Sequence, residues 1–83
     1  MKILLKPAKR VVFANFIRLI REELDLSQAQ LAQRLEMSIC TISRWENEHF
    51  EPEPVTLRVL SEFVKQSGSK KINDRFDVIT ERG

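Results

Sequence analysis

The run Ser38-Ile39-Cys40-Thr41-Ile42-Ser43-Arg44-Trp45-Glu46-Asn47-Glu48-His49 brings together a thiol, three hydroxyls, a guanidinium, two carboxylates, an amide and the only histidine. Their spacing does not suit catalysis. His49 has no second histidine or cysteine pair at metal-ligand spacing, so it reads as a surface residue and no metal is expected. The glutamates at 46, 48, 51 and 53 have neither a glycine loop to form a pocket nor a nucleophile to activate, so no enzyme and no cofactor is expected. Cys40 as a redox sensor needs an exposed thiol of lowered pKa; helix position alone does not supply one, and a lone surface thiol is the simpler reading. What the segment offers is hydrogen bonding. A guanidinium fork and short hydroxyl side chains on one helix match the base edges and phosphates of double-stranded DNA. Trp45 could serve as a stacking platform for single strands, but it stands three residues after Ile42, which assigns both to a core.

Four helices are needed to position that segment. Val12, Phe13, Phe16, Ile17, Ile20 and Leu24 recur at helical spacing after Pro7, which predicts a first helix from about Lys9 to Glu23. Ser27 reads as an N-cap with Gln30 completing a capping box, opening a helix from Gln28 to Leu35 that buries Leu31, Ala32 and Leu35. Ser38 caps the next, about Ile39 to Asn47, with Ile42 and Trp45 inward and Ile39, Cys40, Thr41, Ser43 and Arg44 free to project. Pro54 suits the first turn of a fourth helix that runs to about Gln66 and buries Leu57, Leu60, Phe63 and Val64. Ser67-Gly68-Ser69 reads as its stop, and Phe76 to Thr80 is open among strand, helix and mobile tail. The expected fold is all-α, a compact bundle of four to five helices. The expected division is a basic N-terminal arm over 1–8, a helical domain over 9–68 and a C-terminal tail over 69–83 that could serve dimerisation or a partner.

Two short helices joined by a tight turn, with small Ala32 at their crossing and Met37 turned inward, have the form of a helix-turn-helix. The stretch Ser27-Gln28-Ala29-Gln30-Leu31-Ala32, then Met37-Ser38, then Thr41-Ile42-Ser43-Arg44-Trp45-Glu46-Asn47, resembles the Cro/repressor, Xre-type family, also called phage-repressor-like or lambda-repressor-like. The resemblance runs from about Ile17 to Leu60 and includes Pro52. It implies a sequence-specific regulator of transcription, commonly a repressor that binds DNA as a dimer. By position it implies that Gln28 clamps a phosphate and that Ser38, Ile39, Cys40, Thr41 and Arg44 face the duplex. Arg44 would read guanine bidentately, Thr41 and Ser43 would touch phosphate, and Ile39 and Cys40 would pack on thymine methyls. Asn47 resembles a backbone-contacting asparagine, and Arg21 with Glu46 an internal bidentate ion pair linking the first helix to the third. Glu36 and Glu48 depart from the family by standing where glycine is usual, which implies strain or a changed turn.

Charge bears on the partner. Residues 1–21 carry six bases and no acid, whereas residues 22–62 carry three bases against nine acids, within a formal net charge of +2. The basic block is either a solvated face or an arm lying along phosphates; Lys9, Arg10 and Arg18, with Lys6, are its candidate contacts. Distant acids are screened beyond about 8–10 Å at physiological salt. A homodimer is expected: Ile3, Leu4, Leu5, Val78 and Ile79, apolar groups outside the bundle repeat, would either pair as strands or pack helix four and the tail against a second chain. The alternative function is the antitoxin half of a toxin–antitoxin pair, which binds a toxin protein and represses its own operon. No apolar run approaches a membrane span and one cysteine cannot staple the fold, so the expected setting is the cytoplasm.

Overall fold

The computed structural model describes residues 9–48 and 53–80, Lys9 by its backbone alone. Five helices follow in order: α1 (Lys9–Leu24), α2 (Gln28–Leu35), α3 (Ile39–Glu46), α4 (Pro54–Ser67) and α5 (Lys70–Ile79). The protein is all-α over these residues. The N-terminal arm, the side chain of Lys9, His49 and Pro52 lie outside the described residues.

Each start has a chemical cause. The Ser27 hydroxyl accepts from Gln30 N–H at 3.0 Å while Gln30 Oε1 accepts from Ser27 N–H at 2.8 Å, the reciprocal capping box. Ser38 and Ser69 cap α3 and α5 in the same way, accepting from the N–H groups of Thr41 and Ile72. Pro54 opens α4, where its missing N–H costs nothing.

The ends of α1 and α2 share one pattern. Leu26 N–H reaches back to Arg21 C=O at 2.8 Å and Asp25 N–H to Glu22 C=O at 3.4 Å. Met37 N–H likewise reaches Ala32 C=O at 2.8 Å and Glu36 N–H reaches Gln33 C=O at 3.1 Å. This is the Schellman motif, which needs a left-handed residue at its corner. Asp25 (φ 56°) and Glu36 (φ 59°) supply it, and Glu48 (φ 64°) takes the same conformation after α3. The turns therefore keep their glycine-type geometry with glutamate in place, and the strained alternative is the one realised.

The core joins Phe13, Phe16, Ile17 and Ile20 of α1 to Leu31, Ala32 and Leu35 of α2, Ile42 and Trp45 of α3, Leu60 and Val64 of α4, and Ile72 of α5. Phe13 meets Trp45 edge to face with centroids 5.3 Å apart and planes at 70°, a favoured aromatic geometry. Ala32 is buried at the α2–α3 crossing, and Met37 packs partly buried against the same cluster.

The segment the sequence leaves open among strand, helix and tail is helical. Ile72, Phe76 and Ile79 fall at i, i+4 and i+7; Ile72 is fully buried, and Phe76 lies 5.6 Å from Phe16 between ring centroids. Asn73 Nδ2 donates to Val64 C=O at 3.2 Å and Ser69 C=O at 2.8 Å, joining the end of α4 to the start of α5. Ile79 packs against the core, so of the two C-terminal apolar residues expected outside the bundle only Val78 is exposed.

Candidate nucleic-acid interface

Helix α3 packs against both α1 and α2, with Ile42 and Trp45 buried between them. At 3.6 residues per turn, fixing those two inward turns Cys40, Ser43, Arg44 and Asn47 to the other side and sets Ile39 on the flank. Ser38, Ile39, Cys40, Arg44 and Asn47 are exposed, Ile39 to 48%, and Thr41 and Ser43 are half-buried at the margins. An exposed isoleucine beside a thiol and a guanidinium on an eight-residue helix makes a surface with both apolar and donor character.

Several polar groups on this surface are already partly engaged. Ser38 Oγ lies 3.0 Å from Thr41 Oγ1, so these two hydroxyls share one hydrogen bond. Asn47 Nδ2 donates to Ser43 C=O at 2.8 Å and to Ser43 Oγ at 3.2 Å, folding the amide onto the end of α3. Arg44 has no ion-pair partner among the described residues. Of the α3 side chains expected to face a duplex, it is the charged one left open.

Behind the surface, Glu46 is 5% exposed and anchors α3 to its supports. Arg21 Nη1 donates to Oε1 at 3.0 Å and to Oε2 at 2.9 Å, and Arg21 Nε donates to Leu26 C=O at 3.2 Å. The ion pair expected between α1 and α3 is present, but both carboxylate oxygens converge on one guanidinium nitrogen instead of meeting two in a fork. Nε is committed instead to the α1–α2 loop. Gln28 Nε2 adds a third hydrogen bond to the Glu46 carboxylate, donating to Oε1 at 3.1 Å. An amide nitrogen has two hydrogens, so Gln28 has one remaining for an external acceptor at the N-terminus of α2.

Arg18 is exposed, and one end of its guanidinium donates to the main-chain carbonyl of Glu46 while the other donates to Asn15 Oδ1 at 3.3 Å. It therefore acts on the C-terminal end of α3, where cations are favoured by the helix dipole. The sequence reading groups Arg18 with the phosphate contacts and misses this role. The signal was available: Arg18 stands three residues before Arg21, so the two share a face of α1 that looks at α3. Arg10 is exposed on the first turn of α1 and makes no ion pair among the described residues. Among the described residues no group of His, Cys, Asp and Glu could hold a metal, and no helix is long and apolar enough to cross a membrane.

A family model described as helix-turn-helix matches residues 17–67, more than half of the chain. No curated protein and no solved structure matches it.

Proposed function

The chain belongs to the Xre-type, phage-repressor-like helix-turn-helix family of DNA-binding transcriptional regulators, and we propose that it is a repressor that reads paired half-sites as a homodimer. The observation that carries this reading is the orientation of α3: Ile42 and Trp45 are buried while Ile39, Cys40 and Arg44 are exposed. A helix held from behind in this way can enter a major groove about 12 Å wide with its N-terminal residues toward base edges. Arg44 reads guanine through its two-pronged donor set, and Ile39 with Cys40 supplies apolar contact to thymine methyls. Gln28 holds a phosphate with its spare amide hydrogen at the N-terminus of α2, where backbone N–H groups favour an anion. Ser38, Thr41, Ser43 and Asn47 bond phosphate or water at the margins, and Lys9 and Arg10 extend the phosphate track. Arg18 acts through α3 and does not touch DNA. Occlusion of a promoter asks only that the site be occupied, which is what supports repression for a bundle of this size.

Binding-site selection with the intact chain and with Arg44→Ala tests the reading. Arg44→Ala is expected to relax preference at one base position, at a cost of about 1–3 kcal/mol, while the remaining positions keep theirs. A log affinity that does not fall with log salt would remove the phosphate contacts from the scheme. Dependence of binding on a co-purifying small protein would make the chain the antitoxin half of a pair instead.

A further inference from the structure

We propose that the outer face of α4 is the surface on which two copies of this chain pair. Among the described residues four large hydrophobics are exposed, and two of them, Val55 (68%) and Val59 (37%), stand one turn apart on α4. Phe63, half-buried, continues the line at the next turn, giving an apolar ridge at i, i+4 and i+8. β-branched residues on the solvent face of a helix add nothing to helix propensity, so Val55 and Val59 contribute little to the monomer, whereas Phe63 also packs against its core.

The charges beside the ridge identify its occupant. Arg58 and Glu62 are both exposed, one turn apart, and neither has an ion-pair partner among the described residues. An isologous interface joins one patch to itself, so residue i meets residue j and j meets i. Two α4 helices laid antiparallel about an axis midway between Arg58 and Glu62 bring each Arg58 opposite the Glu62 of the other copy. The valines then lie along the seam. A cation and an anion placed symmetrically about such an axis are self-complementary. The same patch suits DNA poorly, because Glu53 and Glu62 offset its one arginine and the lysine at 65.

A single helix face falls short of the roughly 1,000 Å² that a stable interface buries, so the pair is weak in free solution. On DNA, adjacent half-sites raise the effective concentration to about the millimolar range and the same contact becomes sufficient. That second step rests on the DNA-binding reading; the pairing itself does not.

Sedimentation equilibrium and NMR of the full chain, from roughly 10 µM to 1 mM, test the pairing without DNA. Weak association is expected, with concentration-dependent shifts centred on Val55, Arg58, Val59 and Glu62. Arg58→Glu and Glu62→Arg should each weaken it about tenfold, and the double variant should restore it. Thermal melts confirm that each variant is folded. A chain that remains monomeric throughout, shifts that map instead to α5 around Val78, or a double variant no better than the single ones would overturn the proposal. With DNA, Val59→Asp should keep affinity for one half-site and lose cooperativity on two; retained cooperativity would also count against it. Failure of the unmodified chain to bind any duplex, with sedimentation as expected, would sink the functional reading alone.

Discussion

Replacing Glu36 by glycine should make this protein more stable, although it removes a side chain from the edge of the functional helix pair. Glu36 ends α2 with φ 59° and ψ 44°, a conformation that crowds its Cβ against the backbone. For an L-residue this costs roughly 1–2 kcal/mol, which glycine avoids. Glycine in turn loses about 0.4–1 kcal/mol through its larger unfolded-state freedom. The corner hydrogen bonds, Glu36 N–H to Gln33 C=O at 3.1 Å and Met37 N–H to Ala32 C=O at 2.8 Å, are main-chain and survive the change. Glu36 is exposed, so no packing is lost. The difference is a gain of about 0.8 kcal/mol at the middle of both ranges, or a rise of roughly 3–6 °C in Tm for a domain of this size. Glu36→Ala is the control. It keeps the left-handed penalty and removes only a carboxylate from the negative end of α2, a matter of a few tenths of a kcal/mol. Urea denaturation with an unchanged m-value reads all three proteins on one scale. Equal stability of the glycine and alanine variants would show that the corner is not strained, and the reasoning would fail with it.

Other outcomes follow from the same contacts. Arg21→Ala leaves the buried Glu46 carboxylate with Gln28 as its side-chain donor and should cost roughly 2–3 kcal/mol in urea denaturation, below the 3–5 of fully buried pairs because Arg21 is part exposed. A loss under about 1 kcal/mol would mean the pair is idle. Ile72→Ala should cost about 2–5 kcal/mol because the side chain is fully buried; a near-neutral result would detach α5 from the core. Arg18→Ala should leave the salt slope of DNA affinity unchanged, whereas loss of a true phosphate contact lowers it by about 0.9; a fall of that size would return Arg18 to the DNA surface.

The core was legible in the sequence wherever apolar residues repeat at helical spacing. Helical spacing places Phe13, Phe16, Ile17, Ile20, Leu31, Ala32, Leu35, Ile42, Trp45, Leu60 and Val64 inward, and all are buried, whereas Leu57 and Phe63, expected inward with them, are only partly buried. Helix α5 was not legible for a local reason. Phe76-Asp77-Val78-Ile79 alternates apolar and charged residues over its first three positions, as a half-buried strand does, and hides the longer spacing of Ile72, Phe76 and Ile79. The outward face of α3 followed directly from its inward anchors. The partners of its polar groups did not, because spacing says which way a side chain leaves a helix and not which acceptor it meets. Gln28 reaches Glu46, a partner on another helix that no period encodes, while Asn47 folds back one turn onto Ser43. Arg18 and Arg21 meet different groups of Glu46, carbonyl and carboxylate, and that choice belongs to the assembled bundle.

Glu46 explains why α3 depends on its neighbours for its shape. A carboxylate in the last turn of a helix faces the negative end of the dipole, which opposes helix formation there. Alone, an eight-residue helix with that ending would not persist in water, since isolated helices below about 12–15 residues are marginal even with ideal composition. Here the unfavourable charge is met by Arg21 from α1 and Gln28 from α2, and the main-chain carbonyl of the same residue by Arg18. The ending that would fray the helix is thus what fixes it to both supports. A change at Glu46 should therefore alter the setting of Arg44, two residues earlier, before it alters the global fold. Position-specific loss of base preference in Glu46→Gln, with Tm lowered only modestly, is the result this coupling requires.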